Sequence, residues 1–170
     1  MNAITGHDAS TAFPGDTASP PILHTLRRTG RKAIRFTGRQ LVEALGNPEP
    51  GTIWYDLSIY RSEADSVIVE LNARRSAVDE QDLSRVEVFA SLGEAASWLE
   101  SYPCAGDVPI PPSLASDSSP MATCVLQALQ LRQRIARITD EYHGLLSDVF
   151  EALDITDGAY ADTASDGPAC

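Results

Sequence analysis

Cys124, Ala128, Leu131, Ile135, Ile138, Tyr142, Leu145 and Val149 follow one another at intervals of 4, 3, 4, 3, 4, 3 and 4. No other feature of the sequence constrains the fold as tightly. Side chains at that spacing lie along one side of an α-helix, in the a/d pattern of helices that pack on helices. Val125, Leu129, Leu146, Phe150 and Leu153 widen the stripe towards its ends. Ser119 and Pro120 have the chemistry of an N-cap and a first helical position. The spacing predicts one helix over residues 120–155, roughly 50 Å long at about 1.5 Å per residue. A strand of five to eight residues reaches only about 17–27 Å, so a small sheet leaves part of the stripe bare. The expected cover is a second copy of the chain, with Leu131, Ile135, Ile138, Tyr142, Leu145 and Val149 as the dimer seam. Packing of the helix back onto its own sheet is the other arrangement open at this stage.

The sheet is predicted from the residues ahead of the helix. Residues 53–60 and 66–73 are dense in β-branched and aromatic side chains, and the intervening Arg-Ser-Glu-Ala-Asp is a turn signal, so together they form a hairpin. Residues 85–89 alternate polar and apolar and form a further strand. Ser91, with Glu94 three residues on, has the spacing of a capping box, and Leu92, Ala95, Ala96 and Leu99 then fall at helical intervals. Residues 31–41 alternate as a strand does, while residues 38–45 suit either strand or helix. Trp54, Tyr55, Tyr60, Phe89 and Trp98 are expected in the core. The predicted fold class is α+β: a small, mainly antiparallel sheet of three to four strands, one short helix, and a long C-terminal amphipathic helix.

The flanks are different in kind. Residues 1–22 and 156–170 are Ala, Ser, Thr, Gly, Pro and Asp without apolar periodicity, and are expected to be disordered tails. Residues 23–102 form the β-rich domain with its basic N-terminal segment and short helix. Residues 103–119, with Pro103, Pro109, Pro111 and Pro112, are expected to be an extended connector. No stretch has the length of a membrane span or the order of a signal peptide. Cys104, Cys124 and Cys170 are widely spaced without a metal-binding partner set and read as free thiols. The expectation is a cytoplasmic protein with no membrane association.

Charge is distributed unevenly. The chain carries a net −11, yet residues 27–39 hold six of its thirteen Lys and Arg residues and no acid. Arg27, Arg28, Arg31, Lys32, Arg35 and Arg39, interleaved with Gly, Thr and Phe36, suit phosphate contacts and are the candidate nucleic-acid-binding residues. The plainer alternative places them on the solvent face of an edge strand, paired with the protein's own acids. Asp140 and His143 share a helical face at a spacing that carboxylate-bridged metal sites use, but one such pair is not a site. Asp79, Glu80 and Asp82 lack the calcium-loop spacing and read as a solvated loop. No nucleophile elbow or phosphate loop is present, so neither a catalytic residue nor a cofactor or metal is assigned.

Glu151, Leu153, Asp154 and Ile155 form a Glu-x-Leu-Asp-Ile box at the end of the long helical pattern. The box resembles the signature of the bacterial EXLDI family. The order of a basic Phe-x-Gly-Arg segment at residues 36–39, an aromatic strand ending in Tyr60-Arg61, and a strand-helix unit at residues 86–100 is similar to that family as well. The resemblance covers about residues 31–155. It implies a bacterial protein and supplies no catalytic residues, the family being functionally uncharacterised. The expected function is that of a non-enzymatic interaction or regulatory protein acting as a homodimer; the basic segment is a candidate contact for nucleic acid, with the solvent-face reading of that segment preferred. The alternative is an acidic nucleic-acid mimic that inhibits another protein, with an enzyme of unfamiliar site behind both.

Overall fold

The computed structural model describes residues 20–48, 53–76, 81–115 and 119–155. Five strands, β1 (Ile22–Arg28), β2 (Arg31–Leu45), β3 (Ile53–Ser62), β4 (Val67–Arg75) and β5 (Leu83–Phe89), pair antiparallel in the order of the sequence. Helix α1 (Leu92–Glu100), two short 3₁₀ turns (Cys104–Asp107 and Pro112–Leu114) and helix α2 (Met121–Ala152) follow. The α+β class holds, with five strands where three to four were expected. The additional strand is β1, so the N-terminal boundary at residue 22 falls inside the sheet. The rest of the two predicted tails lies almost entirely outside the described residues. Residues 38–45 continue β2, with a bulge between Gln40 and Val42. No helix among the described residues is long and apolar enough to cross a membrane.

Strand alternation divides the sheet into two faces. Tyr55, Leu57 and Ile59 of β3 and Val67, Val69 and Leu71 of β4 form one face, against which Leu99 of α1 and Ile138, Tyr142, Leu146 and Val149 of α2 are buried. Tyr60, Ile68 and Val86 on the opposite face are covered by Leu26, Ile34 and Phe36 of the β1–β2 hairpin. The hairpin reaches that position because the meander curls. Gly38 makes the close approach possible, since a Cβ there would meet the Arg61 carbonyl. The turn, with Gly30 at φ 72°, arrives at β5: Thr29 donates its backbone N–H to the Ser84 carbonyl at 2.9 Å. Ser84 in turn donates to Thr29 Oγ1 at 2.9 Å.

The helix ends carry local signals. Ser91 caps α1, accepting from the Glu94 N–H at 3.2 Å, while Glu94 reaches back to the Ala90 N–H. Helix α2 begins instead on Pro120 with no side-chain cap, so Ser119 is not the N-cap. It runs unbroken through Gly144. At its C-terminus Ile155 donates its N–H to the Phe150 carbonyl (2.9 Å) and Asp154 to Glu151 (3.1 Å), with Asp154 left-handed at φ 53°. That pair of bonds is a Schellman cap, and the Glu-x-Leu-Asp-Ile box is the segment that builds it.

Residues 103–119 are not a plain extended connector. Cys104, Asp107 and Val108 are buried, because the first 3₁₀ turn packs against α2 and Tyr55 of β3 and is pinned by a carboxylate described below.

Candidate nucleic-acid interface

The six candidate cations all lie on the β1–β2 hairpin, but in two groups. Leu26, Ile34 and Phe36 point into the curl, so Arg27, Arg35 and Arg39 fall on the hairpin's outward face, where all three are exposed. Lys32 is exposed beside the turn. Among the described residues Arg27, Lys32, Arg35 and Arg39 make no ion pair, so the expected pairing with the protein's own acids is not made there for these four. Arg61, directly opposite Arg39 in the ladder, is paired with Asp65 at 2.9 Å.

Arg28 and Arg31 flank the turn and face elsewhere. With Thr29, Ser84, Arg85, Val86, Glu87, Trp98 and Tyr102 among its walls, they line a cavity of about 470 Å³ along the outer edge of β5. Arg28 is held by a bond from Nε to the Lys32 carbonyl at 2.8 Å. Arg31 meets Glu87 at 3.4 Å, with the two side chains 65% and 40% exposed. Arg85 lies 5.2 Å above the Tyr102 ring and donates to Asp107 Oδ1 at 3.0 Å. Trp98 packs between Phe89 and Tyr102, with ring centroids 5.7 and 5.6 Å away.

Asp107, only 4% exposed, is the fixed point behind this wall. Its Oδ2 accepts from the hydroxyls of Tyr55 at 3.0 Å and Tyr102 at 2.5 Å, and its carbonyl accepts from Arg75 at 3.0 Å. Burial, reinforced by the Asp107 charge, raises the Tyr55 and Tyr102 hydroxyls well above the ordinary phenol range. Burial raises Tyr142 likewise, and its hydroxyl donates to the Leu99 carbonyl at 2.8 Å. These are closed structural bonds: every oxygen of the carboxylate is engaged and shielded from solvent. Nothing in the sequence marked Asp107, since an Asp among prolines and glycines reads as a loop residue.

The proposed dimer seam faces the chain's own sheet. Ile138, Tyr142 and Val149 are 1%, 1% and 0% exposed within a single chain, and Leu131, Ile135 and Leu145 are half-buried beside the same core. The apolar surface left bare on α2 is N-terminal to them: Met121, Val125, Leu126 and Leu129 are 79%, 52%, 55% and 56% exposed. Asp140 and His143 are exposed, and no group of three metal-ligating side chains occurs among the described residues. Asp79 and Glu80 lie outside the described residues. Asp82 is no idle loop acid: it binds Arg74 at 2.9 Å, and that bond holds its carboxyl below the usual range. Cys104 and Cys124 are free thiols, and Cys170 lies outside the described residues. Of the expected core aromatics, Tyr55 and Tyr60 are buried, while Trp54, Phe89 and Trp98 are half-buried.

No family model, no curated protein and no solved structure matches this chain.

Proposed function

We propose that this protein is a non-enzymatic binding protein that engages single-stranded nucleic acid through the outward face of its β1–β2 hairpin. The observation that carries the reading is that Arg27, Lys32, Arg35 and Arg39 have no ion-pair partner among the described residues, in a chain of net charge −11. Cations in such a chain have many carboxylates available, so a group of cations on one hairpin left without an ion pair among the described residues keeps its charge for an external anion. A strand backbone suits an extended row: Arg35 and Arg39 lie four residues apart along β2, roughly 13 Å at about 3.3 Å per residue.

The test is a titration with a single-stranded oligonucleotide at increasing salt. Affinity is expected to fall log-linearly with salt, and Arg35→Ala with Arg39→Ala to flatten the slope by about 0.7 for each phosphate no longer neutralised. Binding that is absent at low salt, or a slope unchanged in the double variant, overturns the reading. Self-association belongs to the same proposal only through the N-terminal turns of α2, since most of the seam is spent within the chain.

A second reading is favoured by the C-terminal half of α2, which exposes Asp140, Glu141, Asp148 and Glu151. Such a row would imitate phosphates and inhibit a nucleic-acid-binding protein. Loss of that protein's DNA binding on addition of this chain, unaffected by Arg35→Ala, separates it from the first.

A further inference from the structure

The cavity beside the hairpin turn differs in kind from the open row of cations. We propose that it is a binding site for a nucleotide carrying a terminal phosphate, with Arg28 and Arg31 on the phosphate and Trp98 against the base. Its walls combine three guanidinium groups, one carboxylate and two aromatic rings. At about 470 Å³, its volume lies within the roughly 300–1,000 Å³ of small-molecule sites. A phosphomonoester carries about −1.5 to −2 charges and three acceptor oxygens, which is what several guanidinium forks recognise and one does not need. Trp98 lines the cavity, and an indole is an aromatic surface against which a base of any kind packs.

Two details make this more than a basic dent. Arg85 is already oriented, stacked on Tyr102 and tied to buried Asp107, so little freedom is lost when an anion arrives. The Arg31–Glu87 pair is long and exposed, the kind of ion pair that contributes little. A phosphate can therefore displace Glu87 from Arg31 at small cost, and Glu87 acts as a placeholder for the anion. The aromatic wall, the cations and the edge of β5 converge only because the hairpin curls onto Ser84.

The source of such a nucleotide is either a free mononucleotide or the phosphorylated end of a strand. The second source rests on the hairpin reading, because a strand whose end sits in the cavity continues past Arg31 towards Arg35 and Arg39.

The experiment uses the full chain with Trp54→Phe, which leaves Trp98 as the single indole; the wild type in calorimetry replaces it should that variant fail to fold. A nucleoside monophosphate is expected to quench Trp98 and to bind about tenfold or more tightly than the nucleoside, the effect of at least one charge-assisted hydrogen bond. Arg31→Ala is expected to erase most of that difference, and Glu87→Gln to tighten binding. Oligonucleotides with 5′-phosphate, 3′-phosphate or hydroxyl ends are compared in parallel. Tighter binding of a phosphorylated oligonucleotide supports strand-end capture. Binding of the mononucleotide without any oligonucleotide supports the cavity and overturns the hairpin reading. Equal binding of all oligonucleotides, with no mononucleotide bound, supports the hairpin and overturns the cavity. Absence of all binding overturns both.

Discussion

Asp154 sits at φ 53° at the one position of the α2 cap where glycine is the usual residue. An Asp there carries a left-handed backbone and places a negative charge at the negative end of a helix. The cap accounts for its being tolerated: both of its hydrogen bonds are made, and Ile155 beyond it is half-buried. Asp154→Gly is expected to stabilise the protein by about 0.5–1 kcal/mol, read as a higher urea midpoint at unchanged slope. A loss of stability would mean that the carboxylate has a partner role beyond the cap. The box that resembles a family signature thus has a local structural task, to stop a helix and turn an apolar residue back onto it. Gly38 shows the same logic, for any side chain there would hold the hairpin away from β3.

Among the elements, α2 is two helices in its energetics and one in its geometry. Its C-terminal half roofs the sheet, while its first turns overhang it. Ile138→Ala is expected to cost about 2–5 kcal/mol, as for other buried large-to-small changes, whereas Leu129→Ala is expected to stay within about 0.5 kcal/mol in a dilute monomer. Equal costs, measured by chemical denaturation, would show that the overhang is covered by a partner even at low concentration. The helix was legible because its periodicity persists over eight positions, β3 and β4 because β-branched and aromatic residues crowd both sides of a turn signal, β5 because it alternates, and α1 because a capping box marks it. Strand β1 was not, because Leu26 alone of its side chains is buried, while Ile22 and Leu23 are 58% and 68% exposed. The alternation that identifies a strand needs a buried face, and β1 buries one residue of it. The Thr29-Gly30 turn between two arginines was the remaining signal of a hairpin. The hairpin cations were visible as a charge run, but the cavity was not. Its walls come from residues 28–31, 84–87 and 98–103, which only the curl of the sheet brings together.

Across the whole molecule, three tyrosine hydroxyls tie the sheet, the 3₁₀ turn and both helices to one another. Their folded pKa values stand above the ordinary phenol value, so the stability they contribute is complete below about pH 10. It is lost as pH rises further, because the unfolded chain releases those protons first. Tyrosinate absorbance and the loss of circular dichroism are therefore expected to rise together above about pH 10. Ionisation of these hydroxyls in a chain of intact dichroism would contradict the bonding around Asp107. The order of assembly carries a different consequence. Each strand pairs with the one made just before it, so the sheet zips from hairpin to hairpin through short-range contacts. Leu57, Val69 and Leu71, however, are roofed by Ile138, Tyr142, Leu146 and Val149, which leave the ribosome well after the strands. On the order of seconds of synthesis separate the two at typical elongation rates. During that interval a nearly finished sheet presents an oily face to the cell, and a stop codon in the overhang would leave it that way permanently.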